Sequence, residues 1–294
     1  MSFILNDSKK NALAIVKGGE FKNKYLHIRN NNNFTISDIP NNYTDNLNNN
    51  EKDILNNSIK EKLQPKEEKL ENKYYELMNY LKEKKKKDFI LRKGGKFEVL
   101  PIKKGNLTEK LYICGVSGAG KSTYASNYIK KYLKDNPENE FFLISNVDKD
   151  GILDKLYPIR IDIDIEEPLH MEELKNSVVL FDDIDTIQNK QMRNYFYSLL
   201  DDLIQTGRHY NITIIFTSHI IQNYKKTRNI LLENTSMTMF INSGNNLQNI
   251  KYLKNYCSFN NSQINKILNL NSRWVSIYKS NPEYVIYEKG IYLI

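Results

Sequence analysis

Short apolar runs alternate with helix-length segments from about residue 111 onward. The runs are typical of buried strands, since each is bounded by polar or turn-forming residues; they occupy residues 111–114, 141–145, 178–182, 212–217 and 237–241. Residues 121–134 and 191–206 between them have the length and pattern of helices. This alternation predicts an α/β domain with a mostly parallel central sheet that helices cover on both faces.

Both ends of the chain carry patterns typical of β-hairpins. Apolar residues at 12–16 and 25–28 flank Gly18 and Gly19, and those at 274–278 and 284–287 flank a turn at Pro282. Each pair predicts two antiparallel strands joined by a turn. Residues 93–100 repeat the Lys-Gly-Gly phrase of residues 17–19, and chance similarity explains two copies better than a true repeat does.

Two further segments separate the first hairpin from the α/β domain. Residues 30–33 and 41–57 are rich in asparagine and poor in apolar residues, which predicts a flexible loop. Residues 67–87 predict a helix, because one of its faces is apolar; that face carries Leu70, Tyr74, Leu77, Met78 and Leu81. The short apolar stripe favours packing on the rest of the chain, with coiled-coil assembly as the alternative.

The composition fits a soluble globular protein. Of 294 residues, 40% are hydrophobic and 27% are charged, and neither a membrane-spanning stretch nor a signal-peptide pattern is present. Two distant cysteines, Cys114 and Cys257, form neither a disulfide framework nor a metal cluster, which predicts a reducing intracellular compartment. The net charge of +8 has the sign expected for a nucleic-acid partner. Part of it lies in residues 82–87, where a solvated helix face and a phosphate-contacting patch both remain open.

A complete GxxxxGK[ST] motif follows the first predicted strand of the α/β domain and precedes a helix. Its residues, with the threonine that follows them, are Gly115, Val116, Ser117, Gly118, Ala119, Gly120, Lys121, Ser122 and Thr123. Backbone N–H groups of such a loop bind phosphates, and the N-terminus of the helix adds a positive potential. Lys121 is predicted to reach the β- and γ-phosphates, and the Ser122 hydroxyl to bind Mg²⁺. The predicted cofactors are therefore ATP and Mg²⁺.

The strand at 178–182 ends in two acids, Asp182 and Asp183, which is the form of a Walker B element. Asp182 is the candidate for holding Mg²⁺, and Asp183 for polarising the attacking water. Most such hydrolases have Glu in the second place, so the shorter Asp183 departs from that pattern. Asp185 is interpreted as a surface or helix-capping residue, with assistance to the metal site as the alternative.

The segment from Gly207 to His219 resembles the FtsK/HerA superfamily of DNA-pumping ATPases. In that superfamily, a Gly-Arg pair precedes the strand that follows Walker B, and a polar sensor residue ends that strand. Within it, the Asp-Asp pair and the Gly207-Arg208-His209 triplet look most like the poxvirus-type genome-packaging ATPases of large DNA viruses. The resemblance covers residues 108–294, which sets a predicted N-terminal extension at 1–105 apart from a P-loop ATPase domain at 106–294.

Position by position, the resemblance assigns roles to two residues of that segment. Arg208 takes the place of the arginine finger, which reaches a neighbouring subunit's γ-phosphate and neutralises developing charge; a surface arginine at a helix end is the alternative. His219 stands where the family has glutamine, and an imidazole can also hydrogen-bond a phosphate or a water. Thr217 and Ser218 are further candidates for the sensor role.

The implied function is an ATP-hydrolysing motor that translocates double-stranded DNA into a viral capsid. Its expected setting is a homo-oligomeric ring that works with capsid proteins at the assembly site in the host cytoplasm, with presence in the virion also open. Lys225, Lys226 and Arg228 are candidate DNA contacts, although a solvated loop fits them equally well.

Three other functions remain open to a chain with this loop. A helicase loader or an AAA-like remodeller shares the phosphate loop, but the position of Gly207-Arg208 argues against it. A nucleoside kinase needs a lid with several arginines, and arginines are scarce in this chain. A non-enzymatic protein with a degenerate loop is disfavoured because Lys121, Ser122 and Asp182 are all present.

Overall fold

The computed structural model of the chain describes residues 1–29, 44, 46–61, 64–65, 68–84, 88–91, 94–102, 108–164, 167–219, 221, 226–241 and 246–294. Its strands are Ser2–Asn6 (β1), Ala14–Lys17 (β2), Tyr25–Arg29 (β3), Asp88–Ile90 (β4), Lys96–Val99 (β5), Lys110–Cys114 (β6), Glu140–Ser145 (β7), Ile159–Ile161 (β8), Ser177–Asp182 (β9), Ile212–Ser218 (β10), Ser236–Met239 (β11), Val275–Tyr278 (β12), Tyr284–Tyr287 (β13) and Gly290–Leu293 (β14). Its α-helices are Asn49–Glu61 (α1), Glu68–Lys84 (α2), Lys121–Asp135 (α3), Lys190–Thr206 (α4), Arg228–Glu233 (α5), Asn246–Tyr256 (α6) and Asn261–Leu268 (α7).

A ten-stranded sheet in the order β4-β14-β13-β12-β11-β6-β10-β9-β7-β8 organises the molecule. The six strands from β11 to β8 in this order run parallel to one another. The other four strands pair antiparallel with their neighbours, and β12 joins them to β11. The carboxyl ends of all six parallel strands therefore lie at one edge of the sheet. The predicted α/β class with a mostly parallel sheet is confirmed.

The central strands of this sheet are covered on both faces, which explains their uninterrupted apolar sequences. Every residue of β9 and β10 is buried. Along β9, Val179 and Phe181 join the core that contains the apolar residues of α4, whereas Val178 and Leu180 join the core that contains those of α3. This alternation follows from the two-residue period of a strand. It places α3, which follows the glycine-rich loop, directly against the sheet.

A second, four-stranded antiparallel sheet in the order β1-β3-β2-β5 packs beside the first. The predicted hairpin is present as β2 and β3, and β2 also pairs with β5, so that Gly18 lies beside Gly94 and Gly95. The apolar residues of this sheet share one core with Tyr284 and Ile286 of β13. In addition, β4 pairs with β14. The predicted N-terminal extension thus contributes a strand to the edge of the large sheet.

The predicted helix at 67–87 is observed as α2, and its apolar face packs within the chain. Leu70, Tyr74 and Leu77 contact Leu55 and Ile59 of α1. This confirms the interpretation that the stripe docks on its own chain. Residues 85–87 of the lysine run lie outside the described residues.

The prediction of a flexible loop through residue 57 is wrong where α1 lies, while most of the remaining asparagine-rich tract lies outside the described residues. Asparagine is a poor helix former within a helix, yet it is among the best residues at a helix start. Asn48 and Glu51 form a reciprocal pair of side-chain to backbone hydrogen bonds there, each 2.9 Å long. This cap and the burial of Leu55 outweigh the low propensity.

The C-terminal hairpin is present as β12 and β13, and β14 extends it to three strands. Cys114 and Cys257 are both free, as expected. No helix in the described ranges has the length and apolarity needed to cross a membrane.

Candidate nucleotide-binding site

The glycine-rich loop joins the carboxyl end of β6 to the first residue of α3, which is Lys121. Gly118 and Gly120 have φ angles of 74° and 111°, in the left-handed region that glycine adopts without strain. No side chain caps the start of α3. The first N–H groups of the helix therefore point into the loop with their hydrogen-bonding capacity open to an anion.

Lys121 is the buried cation at the centre of the site. Its side chain is only 6% exposed, and its Nζ lies 3.1 Å from the carbonyl oxygen of Gly115 and 3.1 Å from His219 Nδ1. The same Nζ lies 3.3 Å from Asp183 Oδ2, which in turn lies 3.0 Å from His219 Nε2. The fold thus brings three predicted site residues together. Lys121 follows β6, Asp183 follows β9 and His219 follows β10, and these three strands are neighbours in the sheet.

Asp182 lies in a row of three polar residues across the strand ends. The register of the sheet places Ser145 of β7 and Thr217 of β10 on either side of it. The Thr217 hydroxyl donates to Asp182 Oδ1 at 2.8 Å, and the Ser145 hydroxyl donates to Oδ2 at 3.3 Å. Burial raises the pKa of Asp182, the Thr217 hydrogen bond opposes that shift, and the neighbouring charge of Asp183 adds to it.

Asp183 adopts an uncommon backbone conformation for a residue with a side chain, with φ 46° and ψ 41°. Its N–H donates to Thr217 Oγ1 at 3.1 Å, which helps to fix that conformation. Its Oδ1 is buried and has no hydrogen-bond partner within the described residues. Left-handed backbone at non-glycine positions is frequent at functional sites. The turn directs Oδ2 of Asp183 to Lys121 and leaves Oδ1 buried without a hydrogen bond in the described part of the chain.

Asp185 does not cap a helix, which corrects that part of the interpretation, and the residue is partly exposed. It lies inside the short 3₁₀ turn Ile184–Thr186, where the burial of Ile184 and Ile187 draws the turn inward. Its Oδ1 is buried without a hydrogen-bond partner in the described part of the chain. Burial, and after it the charge of Asp183, raises the pKa of Asp185.

Arg208 lies far from the phosphate loop of its own chain. It is exposed in the 3₁₀ turn Gly207–Tyr210, immediately before β10. The 7 residues of β10 separate this turn from His219, a distance of about 20 Å at roughly 3.3 Å per residue. Arg208 therefore sits at the amino edge of the parallel strands, and Lys121 sits at the carboxyl edge.

Arg273 adds a cation to the loop that the sequence pattern did not single out. Its Nη2 donates to the carbonyl oxygen of Ala119 at 3.3 Å, and its backbone N–H donates to Glu288 Oε2 at 2.8 Å. The guanidinium is exposed. In the sequence, Arg273 lies just before the predicted hairpin strand at 274–278 and belongs to no motif, so the sequence did not indicate a role at the loop.

Two of the candidate DNA contacts that come after β10, Lys226 and Arg228, lie within the described residues. Lys226 Nζ lies 5.1 Å from the centre of the Tyr197 ring, a cation–π contact. Arg228 is exposed at the start of α5, and Lys225 lies outside the described residues. The structure thus fixes one of the three candidate DNA contacts against the protein surface.

The strand order, the loop and the acids define a protein of the P-loop NTPase class. The strand β10, which follows Walker B, lies between β6 and β9 and places Thr217 against Asp182 and His219 against Lys121. The FtsK/HerA resemblance implies a polar residue at the end of this strand.

A curated relative shows the family of this chain. The chain is 41% identical over 211 residues to "Uncharacterized protein V3" of Sputnik virophage, and the match covers 70% of this chain and 84% of that protein. The chain belongs to the same family as this virophage protein. No protein-family model matches it.

Two examples illustrate the solved structures to which this chain is similar. The genome packaging NTPase B204 from Sulfolobus turreted icosahedral virus 2, in complex with AMPPCP, is 14% identical with a TM-score of 0.44, covering 63% of this chain and 97% of that chain. The pCW3 conjugation coupling protein TcpA, in a monomer form with ATPgS, is 12% identical with a TM-score of 0.44, covering 97% of this chain and 77% of that chain.

Proposed function

We propose that this chain is an ATP-hydrolysing motor that moves double-stranded DNA during viral genome packaging. The observation that carries the proposal is the convergence of Lys121, Asp183 and His219 beside the phosphate loop. Because the N-terminus of α3 and its loop would bind the phosphates, these three groups would lie beside the γ-phosphate of a bound nucleotide. The FtsK/HerA resemblance supports duplex DNA as the substrate, and the virophage relative supports the viral setting.

The loop residues 115–123 would bind the polyphosphate of ATP. Backbone N–H groups at the start of α3 would contact phosphate oxygens, and Lys121 would exchange its contacts with Asp183 and His219 for the β- and γ-phosphates. Because Lys121 is almost fully buried, its charge is poorly screened by water. When ATP binds, the phosphates would therefore replace Asp183 and His219 as partners of Lys121, and they carry more negative charge than those two side chains.

Ser122 and Asp182 are the residues that would hold Mg²⁺. Their oxygen atoms suit a hard cation, and Mg²⁺ usually takes one or two protein ligands together with phosphate oxygens and waters. The described residues contain no cluster of three or more carboxylate, histidine or cysteine ligands, which agrees with such a sparse site. When bound, the ion neutralises charge on the phosphates. Ser145 and Thr217 keep the carboxylate of Asp182 oriented.

Asp183 would act as the acceptor for the attacking water. Its carboxylate would accept a proton from the water while the water oxygen forms a bond to the γ-phosphorus and the bond from that phosphorus to the β–γ bridging oxygen breaks. ADP and phosphate leave, and the proton on Asp183 returns to solvent. His219, already within hydrogen-bond distance of Asp183, would orient the water or contact the γ-phosphate.

The position of Arg208 supports the proposal that the enzyme is oligomeric. Its position at the far edge of the sheet rules out a contact with its own loop, whereas its exposure allows it to enter the site of a neighbouring subunit. A head-to-tail contact of this kind closes into a ring when the rotation between subunits is suitable. We therefore include in the proposal a homo-oligomeric ring that works with capsid proteins at the assembly site in the host cytoplasm, with presence in the virion also open.

Replacing Thr217 with valine should shift the pH dependence of ATP turnover. The threonine hydroxyl donates to Asp182 and so stabilises its charged form. Without it, the pKa of Asp182, which burial already raises, rises further, because the charged carboxylate loses a hydrogen-bond donor. The protonated carboxyl cannot support Mg²⁺ binding, so turnover is lost at a higher pH as the solution is acidified. The measurement is the rate of phosphate release against pH at saturating ATP.

Thr213→Val is the matched control, since it makes the same change in β10 at the opposite edge of the sheet. Its acid limb should coincide with that of the unmodified chain. Coincident acid limbs for Thr217→Val and the unmodified chain would contradict the role given to Asp182.

The proposed function is tested by the effect of duplex DNA on ATP turnover. At low salt we expect a several-fold stimulation that declines as salt rises, because Lys and Arg contacts to phosphates release counterions. Polyglutamate serves as a polyanion without base pairs and should have little effect. Turnover that is indifferent to duplex DNA, or equal stimulation by polyglutamate, would instead support a P-loop ATPase that acts on another substrate.

A further inference from the structure

A cleft of about 450 Å³ lies between α3 and the N-terminal sheet. One wall is the face of α3 that carries Tyr124 and Asn127, and the opposite wall is β5, with Lys96 and Glu98. Trp274, immediately before β12, also lines it. The volume falls within the range of small-molecule sites, and the lining combines aromatic rings with several charged and polar side chains.

The cleft adjoins the phosphate loop. Tyr124 lies one helical turn after Lys121, and Trp274 follows Arg273, whose guanidinium contacts the carbonyl oxygen of Ala119. A side chain at Gly120 would lie 3.2 Å from Arg273 Nη2 and 3.4 Å from the ring of Phe240. The loop therefore contacts Phe240 and Arg273, and Phe240 in turn lies against Tyr124 at the aromatic side of the cleft, with ring centres 6.5 Å apart.

The sheet order sets the direction in which a nucleotide runs from the loop. The γ-phosphate partners Asp183 and His219 follow β9 and β10, on one side of β6. A nucleotide is an elongated molecule, so its base must extend to the other side of β6, toward β11 and β12. Trp274 and the cleft lie on that side.

We propose that this cleft binds the base and ribose of the nucleotide whose phosphates the loop holds, and that the N-terminal sheet thereby forms part of the nucleotide site. The inference rests on the proposed function. The half-buried Trp274 offers an aromatic face on which a base stacks. The exposed Asn127 carries both an amide donor and an amide acceptor, which match the paired donor and acceptor on the edge of adenine.

Existing contacts hold the walls of the cleft in place. Tyr124 is fixed by a 2.9 Å hydrogen bond with Ser276 and by an edge-on contact with Trp274 whose ring centres are 5.2 Å apart. The N-terminal wall is tied on by Lys131, which lies 2.9 Å from Glu98, and by Lys96, which lies 3.2 Å from Glu288. The cleft is thus built before a nucleotide arrives, which limits the ordering cost of binding.

The test compares a non-hydrolysable ATP analogue with inorganic tripolyphosphate, both with Mg²⁺, on the full chain. Calorimetry gives the affinities, and the fluorescence of Trp274, the single tryptophan in the chain, reports on the cleft. Both probes should bind, and only the analogue should change the fluorescence. Asn127→Ala should weaken the analogue about 5-fold, and Trp274→Leu about 10-fold or more. Both variants should leave tripolyphosphate affinity unchanged.

Lys130→Ala, on an exposed part of α3 outside the cleft, is the matched control and should bind both probes normally. If the analogue and tripolyphosphate bind the unmodified chain but Asn127→Ala and Trp274→Leu leave analogue affinity unchanged, the cleft is not the base site. If neither probe binds the unmodified chain, the proposed function fails, and this inference fails with it. Asn127 is exposed, so Asn127→Ala should fold and test the base site even if Trp274→Leu does not fold.

Discussion

ATP turnover is expected to fall by at least about 100-fold when Lys121 is replaced with alanine. The ammonium group is almost fully buried and lies within 3.3 Å of Asp183 Oδ2, so it acts where water screens it poorly. Its loss removes the positive charge that stabilises the triphosphate and the charge developing on it during phosphoryl transfer. The measurement is steady-state phosphate release at saturating ATP, together with nucleotide affinity.

Lys130→Ala is the appropriate control, because Lys130 is an exposed lysine on the same helix. That variant should retain full turnover, and thermal unfolding should show that both variants are folded. A folded Lys121→Ala protein with the turnover of the unmodified chain would contradict the assignment of the phosphate loop.

A loss of about 1,000-fold in turnover is expected for Arg208→Ala, the scale on which arginine fingers act. In the proposed role, the guanidinium neutralises charge at a neighbouring subunit's γ-phosphate, because its distance from its own loop excludes that task within one chain. Nucleotide affinity should change far less than turnover, since the finger acts on the transition state. Lys175→Ala removes an exposed cation near the same edge of the sheet and should leave turnover intact.

Mixing subunits distinguishes a finger in trans from a structural arginine. An Arg208→Ala subunit keeps Asp183, and an Asp183→Asn subunit keeps Arg208, so an interface that joins them in the right order contains one complete site. In an equal mixture about a quarter of the interfaces are complete, because each is shared by two subunits. Turnover should therefore recover to about a quarter of normal. Assembled mixtures that remain as inactive as the separate variants would contradict the trans role.

The sequence was sufficient for the parts of the fold that depend on local pattern. The parallel strands β6, β7, β9 and β10 were predicted from their apolar runs, because strands covered on both faces carry little else. The glycine-rich motif located the loop, since its φ angles at Gly118 and Gly120 require glycine. Lys121 and Asp183 could be named as candidates in advance because each belongs to a motif, and His219 because the FtsK/HerA resemblance implies a polar sensor residue at its position.

Other features depend on contacts between segments that are distant in sequence. Ser145 reaches Asp182 only through the register of β7 against β9, which no local pattern fixes. Arg273 reaches Ala119 only because the C-terminal strands join the sheet next to β11. Helix α1 was missed because a cap and tertiary burial stabilise a segment of poor intrinsic propensity.

The central claim is that ATP hydrolysis at this site drives movement along duplex DNA. It is tested most directly by the displacement of a third DNA strand bound to a duplex ahead of the protein, followed by its release over time. We predict that the unmodified chain releases the third strand only with ATP and that the Lys121→Ala variant does not release it. Efficient ATP hydrolysis on duplex DNA that leaves the third strand in place would contradict the account.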